Sequence, residues 1–183
     1  MEKSTILGRE TILEAHAFNI EKVRLCLPDG REHDYDLVDH ADAVTILPID
    51  DEGMVYFVRQ YRIGAEKELL ELPAGVMDDN EEPSLSAHRE LREEIGKDAG
   101  RMIPLGGFYM AAGYSSEYMH VFLATDLSDS PLEKDEDEFL SLEKIDLRAA
   151  YAMVKNGKIQ DGKTISAFLL AIPLLNELLI AAG

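Results

Sequence analysis

Val23, Leu25 and Leu27 alternate with Arg24 and Cys26, and His33, Tyr35 and Leu37 resume the alternation after Pro28-Asp29-Gly30. A period of two on either side of a turn predicts a β-hairpin with one covered face, a small sheet ahead of the main strands. Residues 43–49 and 54–61 are two β-branched runs joined by Asp50-Asp51-Glu52-Gly53, so they are expected to pair as a buried hairpin. Residues 69–72 read as a short strand stopped by Pro73. The period then changes. From Glu82 or Pro83 to Ile95 the pattern is helical, with Leu85, Leu91 and Ile95 expected to face a core and the glutamates to face out. Pro83 suits a first helical position and Gly96 suits a helix end.

Residues 105–110 and 119–124 read as two further strands around the turn Ala112-Gly113-Tyr114-Ser115-Ser116. Residues 128–138 form an acidic loop containing Pro131, and 139–145 a last strand. A helix is expected over 146–156, with Gly157 just past its end. An apolar helix is expected over 164–181, where Pro173 forces a kink or a break. Strands, one helix among them, then helices at the end predict a mixed α/β domain of the α+β type. Residues 1–40 are read as an amino-terminal hairpin region and 41–183 as the main domain.

Composition narrows the function. The 183-residue chain is 46% hydrophobic and 30% charged, enough for a real core. Its net charge of −18 argues against a nucleic-acid groove and against an anionic membrane surface. One cysteine, Cys26, excludes an internal disulfide. No basic segment followed by an apolar run stands at the start, and the apolar stretch near the end is interrupted by Pro173, Asn176 and Glu177. A cytoplasmic protein with no membrane span is expected.

The candidate chemistry lies between Gly75 and Lys97, GVMDDNEEPSLSAHRELREEIGK. On a helix, Glu90, Glu93 and Glu94 crowd one side, and like charges at those spacings repel. A divalent cation would convert that repulsion into ligation by hard oxygens. The spacing is also specific: Gly75, five residues, Glu81, seven residues, Arg89-Glu90-Leu91, one residue, Glu93-Glu94, one residue, Gly96. It resembles the Nudix box at every polar position, departing only where Lys97 replaces the usual aliphatic.

That resemblance implies a Nudix α/β/α sandwich with a mixed sheet, and metal-assisted hydrolysis of a pyrophosphate. Magnesium is the expected ion, with manganese as the alternative. It implies ligation by Glu90, Glu93, Glu94 and the backbone carbonyl of Ala74, with Gly75, Glu81, Arg89 and Gly96 shaping the box. Arg89 is placed to pair with Glu93, and Glu81 to orient the loop. Glu71-Leu72-Pro73-Ala74-Gly75, Val58-Arg59-Gln60-Tyr61-Arg62 and Ala112 to Glu117 look like the ADP-ribose pyrophosphatase and ADP-compounds hydrolase branch. This branch implies substrate contacts from Arg59, Arg62, Glu71, Tyr114 and Glu117. The usual proline after the box is replaced by Ala112, which leaves other ADP-linked compounds open beside ADP-ribose.

Arg59 and Arg62 suit phosphate oxygens, with pairing to surface acids as the plain alternative. Tyr61, Tyr114 and Phe108 could stack on adenine, and core packing competes for each. The resemblance puts the general base on a loop well after the box: Glu136 first, then Glu138 and Glu133. Glu93 on the helix is the alternative. His88 reads as a surface or core-edge histidine. ADP-ribose cleavage to AMP and ribose 5-phosphate is the leading activity, with diadenosine polyphosphates and reduced nicotinamide dinucleotide next. A nucleotide-sensing module that does not hydrolyse is the rival class. A homodimer sharing the amino-terminal sheet is expected from the resemblance.

Overall fold

The computed structural model describes residues 3–133 and 139–181. The chain divides into two compact units, Met1–Asp42 with Phe108–Tyr118, and Ala43–Gly107 with Met119–Gly183.

In the amino-terminal unit, β1 (Thr5–Glu14), β2 (Asn19–Cys26) and β3 (Glu32–Asp39) form one antiparallel sheet in the order β1-β2-β3. The expected hairpin is β2–β3, turned at Gly30 with φ +84°. The first strand, β1, is added beyond that expectation. All ten of its residues are exposed, and the register with β2 shifts between Ile6 and Gly8 and again between Thr11 and Leu13. Cross-strand pairs hold the sheet: Arg24 reaches Asp34 through Nε at 2.8 Å, and Lys22 reaches Asp36 at 2.9 Å. The turn after Tyr109 closes in the same unit, where Val38 N–H donates to the Tyr114 carbonyl at 2.7 Å and Ser116 N–H to the Val38 carbonyl at 3.0 Å.

The second unit contains the two buried runs, β4 (Ala43–Pro48) and β5 (Met54–Arg62). They do not pair as a hairpin. One isolated bridge, Ile49 to Val55, closes their turn, and the strands then enter different sheets. β4 has its edges taken by β7 (Ala74–Val76), antiparallel, and β9 (Tyr118–Asp129), parallel. β5 lies between β10 (Leu140–Asp146) and β6 (Lys67–Glu71), antiparallel to both. A strand buried on both faces carries no alternation to name its neighbour, so proximity in sequence misleads here. β8 (Lys97–Tyr109) completes the four-stranded sheet β7-β4-β9-β8.

Helices cover both faces. Tyr56 and Val58 of β5 pack in one cluster with Ala87, Leu91 and Ile95 of the first helix segment. Between them, Phe57 stacks on Phe168 at 6.2 Å, on the last helix. The successive side chains of β5 thus serve opposite layers, as the period of a strand requires. That last helix, α3 (Gly162–Ala181), is unbroken at Pro173, so the expected break does not occur. α2 (Leu147–Lys155) is capped by Asp146, whose carboxylate accepts from Ala149 N–H at 3.0 Å. Among the described residues no helix is long and apolar enough to cross a membrane.

Candidate active site

The helix that carries the site, α1 (Pro83–Glu94), begins and ends as its sequence dictates. Pro83 occupies the first turn, and the Glu82 side chain accepts from Ser84 N–H at 2.9 Å. At the other end Ile95 is the cap and Gly96 turns at φ +69°. Leu91 is fully buried, but Leu85 is 62% exposed, contrary to its expected core role. The larger correction concerns the glutamates. Glu90 is only 6% exposed and Glu94 only 2%, so both face inward rather than out.

What permits this is the strand laid across them. Glu94 Oε2 accepts from Ala74 N–H at 3.1 Å. A Cβ on Gly75 would lie 2.1 Å from the Glu90 carboxyl carbon, so glycine leaves the space that this carboxylate occupies. Gly75→Ala is therefore expected to displace Glu90 and destabilise the protein by about 1–3 kcal/mol. Thermal melting of the variant checks this, and an unchanged transition would show that Glu90 yields freely.

Arg89 is the hub of the carboxylates. Its Nη1 donates to Glu90 at 2.5 Å and to Glu93 at 3.0 Å. Its Nε and Nη2 form a fork on Glu81 at 3.2 and 2.9 Å, and Nη2 also reaches the Val76 carbonyl at 3.0 Å. The Arg89 hydrogen bond, opposed by burial, holds the Glu81 carboxyl below its usual range. The same fork on Glu81 raises the Arg89 guanidinium further, against its own burial. Glu81 also accepts from Asp78 N–H at 3.1 Å, and so closes the loop before the helix. The expected pairing of Arg89 with Glu93 and the expected loop-orienting geometry of Glu81 are both present.

For Glu90 and Glu93, the crowding that sequence alone would relieve with a cation is thus relieved here by Arg89, while Glu94 accepts from Ala74 N–H. Among the described residues no group of three or more His, Cys, Asp and Glu side chains is spaced to hold a metal ion. The chemistry of the donor set nevertheless fits a hard divalent cation: Glu90, Glu93 and Glu94 are all oxygen donors on one stretch of helix, with Ala74 bonded to the last of them.

A second constellation surrounds Glu71, which is 1% exposed. Arg62 clamps it with Nε at 2.9 Å and Nη2 at 2.6 Å, and Lys163 Nζ donates to the same carboxylate. Burial pushes the Glu71 carboxyl up, but the Arg62 and Lys163 interactions outweigh it and hold it low. Nearby charges on Asp161 and Glu94 add to the Glu71 bond in raising Arg62. Arg62 thus stands within electrostatic reach of α1. Arg59 turns to Glu143 on β10, Nε to Oε1 at 2.5 Å, the plain surface pairing weighed for it.

Tyr114 and Glu117 lie in the amino-terminal unit, on the turn after β8, where Tyr114 is 63% exposed. Tyr61 is exposed on β5. Glu136 and Glu138 lie outside the described residues, and Glu133 is exposed. His88 is half-buried, with Nδ1 at 2.5 Å from Asp98 Oδ1. Lys97, the one departure from the box pattern, opens β8 and reaches Asp129 at 2.6 Å, so its charge has a partner. Lys163 and Thr164 escaped the sequence reading, because nothing in an apolar final helix signals that its first turn meets Glu71 and Leu72.

The family profile described as NUDIX domain matches residues 39–168. The chain is 35% identical over 169 residues to the ADP-ribose pyrophosphatase of Bacillus subtilis (strain 168), covering 91% of each protein. It is 33% identical over 168 residues to the methanol dehydrogenase activator of Bacillus methanolicus, covering 91% of this chain and 90% of that protein. A crystal structure of an ADP compounds hydrolase superposes with a TM-score of 0.85 at 30% identity, covering 97% of this chain and 96% of that one.

Proposed function

The chain belongs to the NUDIX family, and on that premise we propose that it hydrolyses the pyrophosphate bond of ADP-linked compounds with magnesium, manganese being the alternative ion. The single observation that carries this reading is the burial of Glu90 and Glu94 against the Ala74–Gly75 backbone, an arrangement that places carboxylates inside a fold where charge is expensive. Relatives named ADP-ribose pyrophosphatase and ADP compounds hydrolase support ADP-ribose as the first substrate. Diadenosine polyphosphates and reduced nicotinamide dinucleotide come next.

In this reading Glu90, Glu93, Glu94 and the Ala74 carbonyl hold the ion. When bound, it neutralises the pyrophosphate charge and polarises a phosphoryl oxygen. Water attacks one phosphorus, the bridging P–O bond breaks, and ADP-ribose yields AMP and ribose 5-phosphate. Glu136 takes the proton from water, with Glu138 and Glu133 as neighbours able to replace it, and Glu93 as the base if none of them does. Arg62, fixed by Glu71, presents its remaining edge to phosphate, and Arg59 does so by leaving Glu143. Tyr114 and Glu117 are kept as the further substrate contacts that the family resemblance implies.

The experiment is direct. Purified protein with magnesium is incubated with ADP-ribose, diadenosine polyphosphates, reduced nicotinamide dinucleotide and nucleoside diphosphate sugars, and the products are identified. AMP release from ADP-ribose is the expected result. Tight binding of a nucleotide without product would instead favour a sensing module.

We place the protein in the cytoplasm as a homodimer that binds neither nucleic acid nor membrane. Ile6, Leu7, Ile12 and Leu13 on β1 are each at least half exposed, which suits burial against a second copy. Light scattering at micromolar concentration is expected to give twice the chain mass, and a monomer mass would remove this assembly.

A further inference from the structure

Four consecutive residues at the site are held by four elements, α3, β5, β4 and α1. The Glu71 carboxylate is bonded by Lys163 on α3 and by Arg62 on β5. Leu72 N–H donates to Thr164 Oγ1 at 2.9 Å, again on α3. The Pro73 carbonyl accepts from Ile46 N–H on β4 at 2.9 Å, and Ala74 N–H meets Glu94 on α1. The α3 contributions share one support. Asp161 accepts from Thr164 Oγ1 at 2.6 Å and from Thr164 N–H at 2.9 Å, and its other oxygen accepts from Lys163 at 3.0 Å. Thr164 is fully buried and Lys163 is 8% exposed. The Thr164 hydroxyl thus donates to Asp161 and accepts from Leu72 N–H, so it links the two in one chain of hydrogen bonds.

We infer that the first turn of α3, through Thr164 and Lys163, is a positioning element of the active site that holds residues 71–74 in register with Glu94. The inference rests on the proposed reading of that site. Neither residue contacts the box carboxylates of α1 in any bond described above. Their effect travels through the Leu72–Ala74 backbone to Glu94, and through Glu71 to Arg62. A fixed backbone here keeps Ala74 opposite Glu94, and a slack one lets the pair separate. Outer groups of this kind typically change metal affinity or activity by about 10- to 100-fold when lost.

The test uses the full chain and Mn2+ as the probe, with free ion read by electron paramagnetic resonance, alongside turnover of ADP-ribose. Thr164→Val keeps the side-chain shape and removes the acceptor. Its Mn2+ dissociation constant is expected to rise, and kcat to fall, by about tenfold. Thr164→Ser, which keeps the hydroxyl, is expected to restore both. Lys163→Met leaves Glu71 on Arg62 and is expected to move both readouts in the same direction, which also covers a Thr164→Val protein that fails to fold. Variants that fold, bind Mn2+ as wild type does and keep kcat would overturn the inference alone. Wild-type protein that neither binds Mn2+ nor cleaves ADP-ribose would overturn the reading of the site, and the inference with it.

Discussion

Glu94→Gln is expected to lower the magnesium-dependent turnover of ADP-ribose by at least about a hundredfold while leaving the fold intact. Glu94 is 2% exposed and lies at the end of α1, where its Oε2 accepts from Ala74 N–H. Glutamine keeps the volume and keeps an oxygen for that bond, so the packing against the strand survives. It removes the negative charge, which is what a hard cation needs from this position. Stability should hold or rise, because a buried amide is easier to desolvate than a buried carboxylate. AMP release by chromatography measures the first effect, and circular dichroism with thermal melting the second. Wild-type turnover in the variant would take Glu94 out of the ligand set.

Arg89→Met should be the most destabilising single change in the site. It leaves Glu81, Glu90 and Glu93 without their shared cation, and Glu90 is only 6% exposed. Removing one partner of a buried ion pair costs about 3–5 kcal/mol, because the other charge stays behind. Two conditions should narrow the gap to wild type. Acid should, since the Arg89 bond holds the Glu81 carboxyl low in the folded protein. A carboxyl lowered on folding contributes stability above its unfolded range and loses it as pH falls through the folded value. The variant lacks the Arg89 part of that contribution, the largest lowering cause, and so has less to lose. Added magnesium should also narrow the gap: in the variant Arg89 no longer competes for Glu90 and Glu93, so the cation binds the folded variant more tightly than the folded wild type and stabilises it more, by an amount that grows with the logarithm of its concentration. Urea unfolding at neutral and acid pH, with and without magnesium, measures both effects. Equal stability of variant and wild type at neutral pH would show that water, not Arg89, compensates these carboxylates.

The site was more legible in the sequence than the strand pairing around it. Gly75, Glu81, Arg89 and the glutamates are tied by local bonds within about twenty residues, so their spacing carries their geometry. Pro83 and Gly96 marked the helix correctly. The inward turn of Glu90 and Glu94 was hidden, because helical period alone assigns charge to the solvent side. It depends on β7, a strand of three residues that no pattern announces. The separation of β4 from β5 depends on β9 and β10, far along the chain. The part played by α3 is of the same kind: Thr164 meets Leu72 across 92 residues, and only the completed fold brings them together.

The register shifts in β1 bear on the self-association proposed above. A ten-residue edge strand with Ile6, Leu7, Ile12 and Leu13 exposed would, if flat, template open-ended stacking of one chain on the next. The irregularities between Ile6 and Gly8 and between Thr11 and Leu13 interrupt its row of free backbone groups twice. No uninterrupted ladder of the length that fibrils need is left along that edge. The strand therefore offers an apolar surface that suits the homodimer proposed above, while its two irregularities disfavour endless stacking.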